Sequence, residues 1–376
     1  MCIGIHRFRR ATSWRSFRRW PADNSARGAD CRGSRPLPPA AQPPLALQVV
    51  TVTAAADSSQ GSGLERLRGR VPDLEIALAE PLVAEIQRLK RERGAVVLAH
   101  NYQVPTITYG VADFTGDSLE LSRLAATVDS EFIVFCGVHF MAETAAILNP
   151  NRTVLIPDLQ AGCSLAESIT GADVRLLREA YPGVPVVTYV NSSAEVKAES
   201  DICCTSGNAA RIVRSLGVSR VIFLPDEYLA RNVAQETGVD VIAWHGKCIV
   251  HEQFTPEMIR AYRKQFPGVR VLAHPECAPA VCLEADFVGS TRQMIDDVDR
   301  SRARRVMMVT ECSMSDNVQA AHPEVEFVKA CTICPHMKRI TLEGVRDSLR
   351  YLRYRVEVAR DVAARARRAV EAMLAA

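Results

Sequence analysis

Residues 97–123 read VLAHNYQVPTITYGVADFTGDSLELSR, and two later stretches share their shape: VTYVNSSAEVKAESDICCTSGNAARIV at 187–213 and VLAHPECAPAVCLEADFVGSTRQMIDD at 271–297. Each opens as an apolar strand with a polar residue at its carboxyl end. Each then passes an Ala/Ser-Asp-Phe/Ile step at Asp113, Asp201 or Asp286 and reaches a hydroxyl five positions on, at Ser118, Ser206 or Thr291. Self-similarity at a fixed period marks a repeated structural unit. In every unit a second strand follows (FIVFCGVHF, RVIFLPDEY, RVMMVTECS), then a helix, then a third strand ending in a cysteine-bearing turn.

Upstream, the segment EPLVAEIQRLKRERG ends in glycine and runs straight into AVVLAH, which reads as helix, stop signal and strand. Strands and amphipathic helices alternate from there onward, a pattern that calls for parallel sheets covered by helices on both faces. The predicted fold is therefore α/β: three pseudo-repeated αβα sandwich modules with parallel sheets around a pseudo-threefold axis, the active site at their shared interface. Residues 64–175 with an N-terminal helix form the first module, 176–262 the second, and 263–376 the third with a C-terminal helix.

The three turns are LIPDLQAGCSLAES, VIAWHGKCIVHEQF and EFVKACTICPHMKR, and their cysteines, Cys163, Cys248 and Cys334, are 85 and 86 residues apart. Ligands of α/β sheets bind where loops leave the carboxyl ends of strands, and all three cysteines take that position. Three thiolates suit a soft metal, either an iron-sulfur cluster or zinc. A closed structural site wants four protein ligands, so three leave a vertex open to substrate. Isolated cysteines usually serve as small buried hydrophobes, but equal spacing in equivalent turns argues against that here. Cys331 forms CxxC with Cys334, as a redox pair, a second ligand on one loop, or by chance. Cys334 is the better ligand, since Pro335 follows it as in many cluster-binding runs. Cys203 and Cys204 lie near the site but cannot easily share one cluster. Packing is the expectation for Cys136, Cys277, Cys282 and Cys312.

Of the 376 residues, 48% are hydrophobic and 24% charged, the balance of a soluble globular enzyme, and no apolar run is long enough to cross a bilayer. Residues 1–47 carry nine arginines and two aspartates, so the net +3 of the chain conceals a mildly acidic body. That body has no electrostatic support for binding nucleic acid. Residues 1–63, rich in arginine and then proline, cannot build a core and are read as a disordered extension or a misplaced start. A transit peptide and a twin-arginine export signal compete with that reading, but prolines and glutamines interrupt the apolar stretch that export needs. Twelve cysteines are too few for a small secreted disulfide scaffold and point to a reducing cytoplasm.

Taken in order, the motifs LAHNYQ, GDSLELS, YVNSSAEVKA, TSGNA, WHGKCIVHEQF, AHPEC, GSTRQM and CPHMK resemble the quinolinate synthase family of bacterial NAD biosynthesis, from about His100 to Lys338. The arginine-rich arm lies outside the family pattern. The resemblance implies a three-module fold, a 4Fe-4S cluster on Cys163, Cys248 and Cys334, and condensation of iminoaspartate with dihydroxyacetone phosphate to quinolinate. An iminoaspartate-producing enzyme is then expected upstream, with no nucleic-acid or membrane partner. Some members carry CxxCxxC at the last site. Here its first position is Val328, so any disulfide is expected to join Cys331 to the ligand itself.

Both substrates are acidic. Ser118, Ser206 and Thr291, at or near helix N-termini, can hold anions, although single hydroxyls there are more often plain N-caps. His100 and His274 end the first strands of repeats one and three, where imidazole can donate to a carboxylate or move a proton. Glu276 is the candidate general base, Tyr102 and Tyr189 are candidate proton carriers, and Asn191 would orient a substrate carbonyl or carboxylate. His251 and Glu252, on the turn after Cys248, are expected to support the cysteine loop rather than ligate. The alternatives are another 4Fe-4S hydro-lyase and a non-enzymatic iron-sulfur sensor.

Overall fold

In a computed structural model, which describes Val52–Thr53 and residues 63–376, the repeat becomes three four-stranded sheets, each wholly parallel. The expectations for the extension 1–63 fall almost wholly outside this range; within it, Val52–Thr53 is not disordered but pairs in parallel with Val128–Asp129. The first sheet contains Ala95–His100, Phe114–Gly116, Phe132–Cys136 and Thr153–Leu155; the second Val186–Tyr189, Ile202–Cys204, Arg220–Leu224 and Asp240–Ala243. The third contains Arg270–Ala273, Phe287–Val288, Arg305–Val309 and Glu326–Val328. Numbering strands within each sheet along the chain, all three have the spatial order 2-1-3-4. The first and third strands are central and read as near-continuous apolar runs because helices cover both faces. Full burial of a side chain such as Leu98, Ile133 or Phe223 contributes about 1.5–3 kcal/mol.

Each repeat therefore has one strand more than its periodicity revealed. The extra strand is two or three residues long and lies directly after the repeated aspartate. Its cause is local. Asp113 donates its backbone N–H to the Val97 carbonyl and accepts the Val97 N–H on Oδ2 (2.8 Å), and Asp201 and Asp286 do the same with Val186 and Val271. The aspartate thus fastens the incoming chain to the first strand at the start of the short ladder.

Each of these carboxylates also pairs with a cation on the helix that precedes its sheet. The pairs are Lys90–Asp113 (2.7 Å), Arg178–Asp201 (2.8 Å) and Arg263–Asp286 (3.0 Å), from the helices Asp73–Arg93, Gly171–Ala180 and Pro256–Gln265. The boundaries drawn at 175/176 and 262/263 fall inside two of these helices. The C-terminal helix, Arg360–Ala375, ties the first two modules together: Arg367 donates to the carbonyls of Ile147 and Leu148, and Arg365 pairs with Glu199 at 2.7 Å.

Candidate active site

With order 2-1-3-4, the chain leaves strand 1 toward one edge and strand 3 toward the other, which opens a crevice at their carboxyl ends. The three crevices share one cavity of about 670 Å³. Its wall includes Cys163, Cys248 and Cys334, His100, Tyr102, Tyr189, Asn191, His274 and Glu276, and the hydroxyl residues Ser118, Ser206 and Thr291. All twelve residues singled out from the sequence meet there, and among the described residues lining it there is no lysine or arginine.

Glu276 lies at the centre of the polar network. Its Oε1 accepts from the Tyr189 hydroxyl and, at 3.4 Å, from the Asn191 amide, and its Oε2 lies 2.8 Å from His251 Nδ1. Burial alone would raise its pKa, but the contacts with His251 and the Tyr189 hydroxyl overcome that and hold the carboxyl below its ordinary value. Glu276 is therefore an acceptor at both oxygens near neutral pH. Burial, reinforced by the Glu276 charge, pushes Tyr102 and Tyr189 well above the ordinary phenol value, so both keep their protons.

The two strand-ending histidines are built alike. His100 Nδ1 accepts the backbone N–H of Tyr102 (3.2 Å) and His274 Nδ1 that of Glu276 (3.4 Å). Burial lowers their pKa from 6.5 to about 4 and about 3 despite nearby Glu276, so both rings are neutral with the proton on Nε2. His274 Nε2 lies 3.2 Å from the Ser206 hydroxyl.

Capping is not what the three hydroxyls do. Asp117 caps the helix that begins at Ser118, accepting from the N–H groups of Leu119 and Glu120, and Ser290 caps the helix that begins at Thr291 through a capping box with Gln293. The caps also hold each other, since the Ser290 hydroxyl donates to Asp117 at 3.1 Å across two modules. Ser118 and Thr291 occupy the first helical position, and Thr291 accepts from the Asn101 amide at 3.0 Å. Ser206 lies in the turn before Ala209–Ser215, where Asn208 accepts the Thr205 N–H.

Comparison with known proteins decides the family. The family described as "Quinolinate synthetase A protein" matches residues 84–375. Quinolinate synthase 1 of Mesorhizobium japonicum is 61% identical over 316 residues, covering 84% of this chain and 98% of that one. The quinolinate synthase of Agrobacterium fabrum is 60% identical over 316 residues (84% and 92%), and that of Xylella fastidiosa 61% over 293 (78% and 86%). The chain belongs to the quinolinate synthase family.

As a quinolinate synthase family member the chain has three thiols whose chemistry suits a soft metal group. Burial pushes Cys163 up to about 12, Cys248 well above the ordinary thiol value and Cys334 upward. With no lysine or arginine on the described wall, a bound metal would supply the positive charge that ionises three such thiols. Cys248, His251 and Glu276 also place a sulfur, a nitrogen and an oxygen within 4.8 Å of one another.

Two expectations around these thiols need correction. The disulfide joins Cys331 not to the predicted ligand Cys334 but to Cys312, which is therefore no mere packing residue; Cys334 stays free. The cause is the parallel bridge between Glu311 and Thr332, where the Cys312 N–H donates to the Thr332 carbonyl at 3.0 Å, a pairing that 19 residues of separation hide in the sequence. Glu252 has an exposed side chain on the short 3-10 turn His251–Gln253 and supports the loop only through its backbone N–H, which donates to the Cys248 carbonyl at 3.0 Å, whereas buried His251 lies 3.2 Å from Cys248 Sγ. Cys203 and Cys204 are buried within strand Ile202–Cys204, paired alongside Thr188 and Tyr189.

Sequence reasoning missed the supports behind the wall. Buried Glu311 accepts from Lys338 (2.9 Å) and from the Cys334 N–H (3.4 Å), and Lys338 also donates to the Tyr102 carbonyl (2.9 Å). The Cys334 turn is thereby tied to the Tyr102 loop of another module. The Lys in CPHMK was visible as a motif letter, but nothing in its spacing names Glu311 as partner.

Proposed function

We propose that the protein condenses iminoaspartate with dihydroxyacetone phosphate to quinolinate, releasing one phosphate and two waters, in the cavity where the three modules meet. Family membership supports the reaction, and one observation carries the assignment to this cavity. Three half-buried thiols, on turns that follow three sheets, share it with the Glu276 carboxylate, held between Tyr189 and His251. Cys163, Cys248 and Cys334 would hold a 4Fe-4S cluster, which when bound supplies a Lewis acid with one coordination position left open by the protein.

The residues divide the remaining work. Anionic groups of both substrates meet donors without formal charge: the Ser118, Ser206 and Thr291 hydroxyls, of which Ser118 and Thr291 sit at the positive ends of the helices Ser118–Thr127 and Thr291–Ser301, and the Nε2–H groups of His100 and His274. Glu276 removes the proton from C3 of iminoaspartate so that this carbon can attack, with Asn191 orienting the adjacent carbonyl or carboxylate. Tyr102 and Tyr189, held as phenols, donate protons to leaving hydroxyls and to the oxygens exchanged in the ketose-to-aldose step. Imine closure and two dehydrations complete the ring.

The imine has to be supplied by an upstream iminoaspartate-producing enzyme. Free thiol ligands suit a reducing cytoplasm, and among the described residues no helix is long and apolar enough to cross a membrane. The test is anaerobic purification with iron, sulfide and zinc analysis, followed by an assay of quinolinate from the two substrates. Iron and sulfide with quinolinate formation are expected; zinc without iron, or an intact cluster without product, overturns the reading.

A further inference from the structure

Thr310 follows strand Arg305–Val309 of the third sheet and is almost wholly buried. Its hydroxyl oxygen lies 2.6 Å from the Tyr102 hydroxyl, on the first module, and 2.9 Å from His251 Nε2, on the second. On the other side of the imidazole, Nδ1 reaches Glu276 at 2.8 Å, and Glu276 accepts from Tyr189. One unbroken chain of side chains thus runs Tyr102–Thr310–His251–Glu276–Tyr189, and Thr310 is the link through which all three modules touch it.

A hydroxyl donates one hydrogen bond and accepts others, so the Thr310 hydroxyl serves Tyr102 and His251 at once. Glu276 accepts at both oxygens, so His251 presents Nδ1–H to it. We propose that Thr310 is a positioning residue of the reaction: its hydroxyl, set between the Tyr102 phenol and His251 Nε2, aims the phenol and holds the imidazole with Nδ1 toward Glu276. The fold does not require a hydroxyl there, since the positions that follow the third strands of the other two sheets are Gly137 and Pro225. A buried threonine could also be no more than a polar group finding partners, so the test has to separate aim from packing.

This inference rests on the quinolinate synthase reading, and the wild-type holoenzyme is assayed in parallel: failure of the wild type to form quinolinate overturns that reading, not this one. Thr310→Val keeps the shape and removes the hydroxyl. With iron, sulfide and melting temperature at wild-type values, kcat is expected to fall about tenfold, while KM for each substrate stays within about twofold. Thr310→Ser should recover most of the lost kcat. In a Tyr102→Phe background, where the phenol is gone, Thr310→Val should add little further loss. Wild-type kcat in the valine variant, a serine variant as impaired as valine, or an equal loss in both backgrounds overturns the proposal. Thr310→Ala makes the same comparison without placing a methyl against His251. If neither variant retains the cluster, the hydroxyl serves the loop's folding and the proposal fails.

Discussion

At the scale of single residues, Glu276 is where burial and charge compete most directly. A carboxylate with almost no exposure is tolerated because Tyr189, His251 and Asn191 all present hydrogens to it. Glu276→Gln keeps the volume and replaces an oxygen that must accept with an amide that donates. Quinolinate formation is expected to drop by about 10²–10⁴ with the cluster content unchanged, the range for losing a positioned base. A glutamine variant within a few-fold of wild-type kcat would remove Glu276 from the role of base. Half of the twelve wall residues, the three cysteines and three hydroxyls, were legible because the repeat numbers them: one alone says little, but three at one period say that they share a place, whereas Tyr102, Tyr189, Asn191 and Glu276 were reached through the family resemblance. Thr310 and Glu311 carry no such mark: the partners of Thr310 come from other modules, and those of Glu311 lie beyond the next helix and strand of its own, at separations that no local pattern encodes.

At the scale of elements, the repeated Lys/Arg–Asp pair explains why a two-residue strand forms at all, and the three copies differ in exposure. The Lys90 side chain is only 6% exposed and that of Asp113 18%, against 33% and 36% for Arg263 and Asp286. Asp113→Ala leaves a buried ammonium unpaired and the Val97 N–H without its acceptor, and is expected to cost about 3–5 kcal/mol. Asp286→Ala breaks a half-exposed pair and one similar backbone contact, for about 1–2 kcal/mol. Denaturant unfolding of the two variants side by side checks the ranking, and equal losses would mean that the strand bond rather than the buried cation dominates. These short edge strands were invisible in the sequence because two or three residues cannot display a period. A second element-scale outcome concerns Gly246, two residues before Cys248. A Cβ there would sit 2.4 Å from the Pro225 carbonyl oxygen, a backbone atom that cannot rotate aside. Gly246→Ala should therefore displace the Cys248 turn and lower iron per chain, while Gly183→Ala, in a turn with a positive φ but open space around it, should leave iron content alone. Full iron loading in the Gly246 variant would show that the turn can yield.

At the scale of the whole molecule, fold class and module number followed from the period, whereas the contacts that join modules did not, because they pair residues scores or hundreds of positions apart. That joining has a consequence for pH. Where the modules meet, His100 and His274 are buried as neutral rings, with pKa lowered from 6.5 to about 4 and about 3. In the unfolded chain both regain the ordinary value. Below pH 6.5 unfolding therefore takes up protons that the folded protein refuses, so stability present at neutral pH is lost as pH falls, completely only near pH 4 for His100 and pH 3 for His274. Glu276, held below its ordinary 4.5, adds a loss of the same sign only at lower pH, which leaves the window between 6.5 and 5 to the histidines. By pH 5 each should have cost about 2 kcal/mol. Unfolding free energies measured at pH 7, 6 and 5 for the wild type and for a His100→Asn, His274→Asn variant isolate this share, since asparagine does not titrate. The variant should be less stable at pH 7 yet fall less steeply toward pH 5. Parallel slopes for the two proteins would mean that the imidazoles accept protons where they stand, and that the cavity is wetter than its walls imply.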